Sequence, residues 1–323
     1  MAMVVVALVS LLGMCALVLD VGYAFVVKRR AQAAADASAL AAVQFLPDTT
    51  AAGTAFTNYA HTNFSGVGTV SPTWSSTHSS NDTVTAHATA TAPSFFGKVL
   101  GFHNYAAGAT ATAWIGSYTS YGLNVAPWTL DRPHAQQDFG QSVNFKVASG
   151  KDVYSPGNFG AVDLPLKETG CALSNGTADY RHLIDKTEHS CGIKVGDILQ
   201  SETGDMGSNT RNALLDRGAV NGFDAYSVLQ LQSNGSYEIK DYSNPNVIVI
   251  PIVNLFQNGA KSFTVTTFSW FVITSYGQKD VTGMFIRSAT QPGAICPTAS
   301  NPNAPCDVGA RDPDGMTVMQ FSA

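Results

Sequence analysis

The chain has 323 residues, a formal net charge of −5 and only 13% charged residues, about half the share usual in soluble globular domains. Ser, Thr, Asn and Gly supply most of the polarity, a balance that suits a secreted or surface protein better than a cytosolic enzyme. Outside Lys28-Arg29-Arg30 the basic residues do not cluster, which excludes the basic face or stripe of a nucleic-acid-binding domain.

Residues 1–19 carry no charge, and neither do residues 21–27. About 20 apolar residues cross a bilayer as a helix, so the segment is predicted to be a membrane span. It is not an ordinary secretory signal: it has no basic leading region, its apolar run is too long, and the helical pattern continues past any cleavage point. Lys28, Arg29 and Arg30 follow. The positive-inside rule puts that end in the cytoplasm, whereas the composition puts the remainder outside. A basic leader ahead of Met1 would resolve the conflict. Asp20 stands alone in the apolar run, where a carboxylate costs a few kcal/mol and usually has a partner. Two readings follow: Asp20 marks the outer edge of the span and reaches water, or it pairs with Lys28, Arg29 or an N-terminal amine of a neighbouring subunit. A buried pair of that kind sets register more than stability.

The run AQAAADASALAA comes next. Alanine is the best helix former, and small residues let helices approach closely. Pro47 ends the run. A helix from Ala2 to Leu46 is roughly 65–70 Å long, and outside lipid it has nothing to bury its apolar side against. The expectation is that copies of the helix pack together.

The stretch LVLDVGYAFVVKRRAQAAADASALAA, residues 17–42, resembles the N-terminal signature of the TadE/TadG-like proteins of Tad (tight adherence) pilus systems. The positions that carry the resemblance are Asp20, Gly22, Tyr23, Arg29, Gln32, Ala35, Asp36, Ala37 and Ala39, with Lys28 and Arg30 beside them. It covers about 45 residues, and weaker likenesses to the larger TadG-like members continue at 156–164, 195–217 and 247–254. Val5 stands where type IV pilins carry a Glu. The integrin-type metal site of some TadG-like proteins has only a partial mimic here, DASAL at 36–40, inside the helix and with Leu40 in place of the last Ser.

Beyond the helix, residues 48–65 read as a second short helix. Residues 67–75, 82–92 and 104–118 read as strands through their period of two, with a helical turn or two at 94–102. Later strands are expected at about 122–130, 142–148 and 158–164, with short helices near 177–187 and 208–217. Strong strands follow at 246–253, 262–276 and 280–289, the last two joined by the hairpin SYGQKD. Pro251 makes 246–253 an edge or bulged strand. The tail 291–323 is rich in Pro, Asn and Asp. The expected class is α+β: an N-terminal assembly helix (1–47), a small α+β module (48–120) and a β-rich, loop-rich surface domain (121–323).

Four of the five cysteines form two local pairs, Cys171/Cys191 and Cys296/Cys306. Even count and local pairing read as two disulfides in an oxidising compartment; free thiols close in sequence are the alternative. Neither pair has zinc-site spacing. No nucleophile-elbow, zincin, Walker or dinucleotide signature occurs. The densest set of chemically able side chains is His182, Asp185, Glu188, His189 and Cys191, read either as a metal site or as a polar loop held by a disulfide. His134 and Asp138 form a smaller polar group. Phe159 and Met206 read as packing residues in glycine-bearing turns. Sequons stand at Asn63, Asn81, Asn175 and Asn234.

With the resemblance, the expectation is a non-enzymatic, pilin-like subunit of an extracellular filament, without cofactor or metal. It would polymerise with copies of itself through the N-terminal helix, after waiting in the inner membrane beside the pilus assembly machinery, and its ectodomain would coat the fibre. The alternative is a membrane-anchored TadG-like accessory protein; a surface enzyme or small-molecule-binding domain on an anchor is a third class.

Overall fold

The computed structural model describes residues 2–123, 125–137, 141–146, 160–173, 176–202, 206–231, 237–254, 262–286, 296, 298–312 and 316–322. The chain forms two compact units, Met1–Ile115 with Met319–Ala323, and Gly116–Val318.

The first unit is built on helix α1 (Ala2–Val43). It stops three residues short of the expected Leu46, because the residue before a proline is pushed out of the helical region. Residues 44–47 form a turn, with the Phe45 amide on the Ala42 carbonyl. Asp48 caps helix α2 (Thr49–Asn63), its carboxylate accepting from the amides of Thr50 and Ala51 at 3.0 and 3.1 Å. Three strands follow as an antiparallel meander: β1 (Val70–Ser75), β2 (Thr83–Pro93) and β3 (Asn104–Tyr118).

The alanines explain how this unit closes. Val27, Ala31, Ala34, Ala35, Ala39, Ala42 and Val43 are buried and recur at the three-to-four-residue spacing of one helix face. They share one core with Ala52 and Phe56 of α2 and with alternate residues of the sheet. In that sheet Ala86 lies opposite Ala111, Ala88 opposite Ala109 and Ala90 opposite Ala107. Small side chains on both surfaces let the helix lie close on the strands. Gln32 links helix to sheet from the rim, its side-chain amide donating to Asp36 at 2.8 Å and to the Thr110 carbonyl at 2.9 Å.

This corrects one expectation. The alanine-rich half of the long helix buries its apolar face in its own chain, since the sheet offers a complementary floor of alanines. Among the described side chains nearer the N-terminus, Met14, Leu17, Val18, Leu19, Val21 and Phe25 stay exposed.

The second unit is organised by the 15-residue strand Ser262–Tyr276. Val247–Val253, Val281–Ile286 and Ile198–Ser201 pair with it, all antiparallel. Val249, Phe268, Trp270, Val272 and Ile286 belong to one core, and Ile248, Ile250, Phe271, Ile273 and Phe285 to another. Both faces are buried, which is why these strands read as continuous apolar runs. The strand at 247–253 is bulged as Pro251 implied, with a register shift between Ile252 and Val253. The Gly277 amide on the Asp280 carbonyl closes the expected hairpin turn.

Other expectations needed correction. The strand expected at 122–130 is reduced to Leu130–Asp131 and two isolated bridges, Val125 to Val249 and Trp128 to Ala161. Its buried residues cross the sheet as irregular chain. Of the strand expected near 158–164, residues 158 and 159 lie outside the described residues, and within the rest the strand is Val162–Asp163. The tail holds two unexpected strands, Val308–Gly309 and Thr317–Ser322, because pairing with β3 overrides a composition that reads as loop.

Disulfides join Cys171 to Cys191 and Cys296 to Cys306. Closing a loop of sequence separation 20 is worth about 3 kcal/mol in the chain-entropy model. Cys171→Ser is therefore expected to lower the stability of the second unit by about 3 kcal/mol, with urea melts with and without reductant as the check; equal stability of the parent in both would contradict it. In the first unit, Ala35→Leu places a larger side chain where nothing is exposed. It is expected to cost about 1–3 kcal/mol through overpacking, read from the same melts.

Candidate functional site

Asp20 is buried, 2% exposed, on a helix whose neighbouring residues Leu19 and Val21 are 57% and 58% exposed. What covers it is the segment between β2 and β3. The Ser94 hydroxyl donates to Asp20 Oδ2 at 2.7 Å, the Phe95 amide to Oδ1 at 2.8 Å and the Gly97 amide to Oδ2 at 2.7 Å. The Phe96 amide is shared between the two oxygens at 3.2 and 3.1 Å. Consecutive backbone N–H groups curved around an anion form a nest, and here the anion is a side chain from 75 residues away.

Gly97 makes the approach possible. A Cβ there would stand 2.5 Å from Ser94 Oγ and 2.8 Å from the Tyr105 hydroxyl. The segment then turns through a single 3-10 turn, Gly97–Leu100, and closes at Gly101, whose φ of 88° suits glycine. Burial works to raise the Asp20 pKa. The Ser94 hydroxyl and the amides of Gly97, Phe95 and Phe96 outweigh it and hold the carboxyl at about 2.

The reading in which Asp20 reaches water does not describe this arrangement. The carboxylate neither reaches water nor draws its bonds from Lys28, Arg29 or Arg30; its donors lie in its own chain. Gly22 is exposed, with open space where a Cβ would point. Tyr23 packs edge-to-face on Phe95, ring centroids 5.4 Å apart. Arg29 lies over the Phe25 ring, and Asp36 accepts from Gln32. Every position of the resemblance therefore sits on α1, and Asp20, Tyr23 and Gln32 tie it to the sheet or its loops.

Residues 1–44 match the family model described as putative Flp pilus-assembly TadE/G-like. The matched segment is α1 with one residue more at each end, so the likeness to this pilus-assembly family rests on the helix that carries Asp20. No curated protein and no solved structure matches the chain. Among the residues whose side chains the structure describes, a set that leaves out 5–10, 12 and 15 of α1, no helix is long and apolar enough to cross a membrane.

The other candidates do not converge. His182 Nδ1 stands 3.4 Å from Glu188 Oε1, while His189 turns to Glu168 at 3.0 Å and Asp185 to the Thr187 amide and hydroxyl. Cys191 is in a disulfide. His182, Asp185 and Glu188 line a shallow cavity of about 460 Å³ with Arg181, Thr177 and Asn209, but among the described residues no group of three His, Cys, Asp or Glu is placed to hold a metal. His134 bonds Asp131 three residues before it; Asp138 lies outside the described residues, as do Phe159, Asn175 and Asn234. Met206 is buried in a left-handed turn at the start of the helix Gly207–Asp216. Asn63 ends α2, and Asn81 sits at positive φ in the β1–β2 turn.

Sequence reading missed the partner of Asp20. A Ser and a Gly three residues apart around two phenylalanines, in SFFG at 94–97, were the available signal for a turn of converging amides.

The sign of the pH dependence follows from the lowered pKa. With a folded-state value of about 2 against a reference of 3.8, the contribution of Asp20 is complete above the reference and is lost as pH falls through the folded value. Gly97→Ala is expected to destabilise the first unit by a constant amount from neutral pH to about 4, and the difference from the parent is expected to shrink toward pH 2. Urea melts at a series of pH values check this; a difference independent of pH would contradict it.

Proposed function

We propose that the chain is a membrane-tethered, structural protein of Tad-type pilus assembly. Residues 2–19 lie in the inner membrane, and the folded units lie on its outer face. The observation that carries this reading is the division of α1. Its second half is buried in its own chain, while its first half is an uncharged run, 1–19, with exposed Leu11, Met14, Leu17, Val18 and Leu19. A helix apolar on every side belongs in lipid or in a bundle of helices. At 1.5 Å per residue, 18 residues span about 27 Å, close to the hydrocarbon thickness of a bilayer. The match to a pilus-assembly family over residues 1–44 supports the pilus context. His182, Asp185, Glu188 and His189 are engaged in local ion pairs and turn bonds, and we assign them no catalytic role.

A filament subunit is the second reading. Gly13 and Gly22 favour it, because a Cβ at either position would meet nothing within 4 Å, leaving bare backbone for close helix approach. One experiment separates the two. Surface appendages are sheared from cells, imaged by electron microscopy and identified by mass spectrometry. Tethering predicts that this chain stays with the inner-membrane fraction. Recovery as the repeating component of sheared fibres would contradict tethering and establish the filament reading.

A further inference from the structure

The segment 94–102, SFFGKVLGF, is more than the partner of Asp20. Phe95, Phe96 and Phe102 are 57%, 48% and 61% exposed. Three large apolar side chains exposed within eight residues call for a covering surface. Phe95 and Phe96 join Val18, Leu19, Tyr23 and Val26 in one apolar groove along α1. This surface is continuous with the uncharged run at 1–19.

Six backbone amides of the segment are bonded within the chain. Asp20 takes the amides of Phe95, Phe96 and Gly97. The Ser94 amide donates to the His103 carbonyl, Gly101 to Lys98 and Phe102 to Gly97. A loop whose amides are already bonded can enter an apolar environment without the several-kcal/mol cost of each orphaned group. The charges nearby have one sign. Lys98 is exposed on the segment, and Lys28, Arg29 and Arg30 are exposed on α1, roughly 12–15 Å along the helix from Asp20. Asp20 is the only carboxylate among the first 35 residues, and its oxygens are occupied.

We propose that the segment 94–102 is a second membrane contact: an aromatic foot that inserts Phe95, Phe96 and Phe102 into the interface of an anionic lipid bilayer at the end of the helical span. Lys98 and the basic cluster of α1 meet the lipid headgroups, an arrangement that follows the amphipathic anchoring of interfacial segments. Asp20 holds the foot against the helix and so fixes where the span ends. The inference rests on the tethered reading above.

The full chain is reconstituted in vesicles of phosphatidylcholine and phosphatidylglycerol that contain a phospholipid with a photoreactive acyl chain, and labelled peptides are mapped by mass spectrometry. The expected result is label on both 2–19 and 94–102, the latter several-fold above the peptide holding Leu231, an exposed apolar residue of the second unit. Label on 2–19 with 94–102 at the Leu231 level would overturn the foot and leave the tether standing. Label on neither would overturn both. A photoreactive phenylalanine at position 96 gives a second readout that needs no loss of the apolar side chain: lipid adducts support the foot, and cross-links to a second copy of the chain overturn it.

Discussion

The first unit depends on one buried carboxylate. Asp20 sits where an apolar helix meets a folded module, and four donors from a single turn satisfy it. An ionised group in that position would otherwise be a liability in lipid or in a protein core. Given a nest of amides, it becomes a fixed point, because a carboxylate with converging N–H partners has a narrow range of acceptable geometries. The consequences run outward in both directions. Toward the N-terminus the described side chains Met3, Val4, Leu11, Met14, Leu17, Val18 and Leu19 are exposed. Toward the C-terminus it lies on α2 and the alanine floor of β2 and β3. The same device recurs at the β1–β2 turn, where Asp82 accepts from the amides of Thr77, His78 and Ser79.

The alanine packing follows from a related constraint. A helix can lie this close to a sheet only if neither surface carries bulk. Buried alanines at 31, 34, 35, 39 and 42 meet alanines at 86, 88, 90 and 92. Larger side chains join the same core beside these alanines, among them Val27, Val43, Leu46, Phe56, Val84 and Ile115. The second unit uses the opposite solution, a long strand buried on both faces under aromatic and branched residues.

Much of this was legible in the sequence. The long helix, the second helix and the meander of the first unit appear where periodicity placed them, since alternation in TVTAHATATA is unbroken and the alanine run has few competing conformations. The strong strands at 247–253 and 262–276 were legible for the same reason. The alanine face was legible as a surface but not as to its partner, because a stripe of small residues says that something approaches closely without saying what. The short strands at 308–309 and 317–322 were not legible, as their pairing with β3 is set by tertiary contact rather than local preference. Asp20 was visible as an anomaly. Its partner was hidden by 75 residues of separation and by being mostly main chain, with only Ser94 and Gly97 to mark it in the sequence.

The central claim is that Asp20, through backbone amides, joins the end of the apolar helix to the 94–97 turn. Hydrogen exchange at the amides of Phe95, Phe96 and Gly97, in the full chain in lipid vesicles, tests it most directly. The account predicts slow exchange in the parent and loss of that protection in Asp20→Ala, with the amides paired between β2 and β3 unchanged. Equal exchange at these three amides in parent and variant would contradict it.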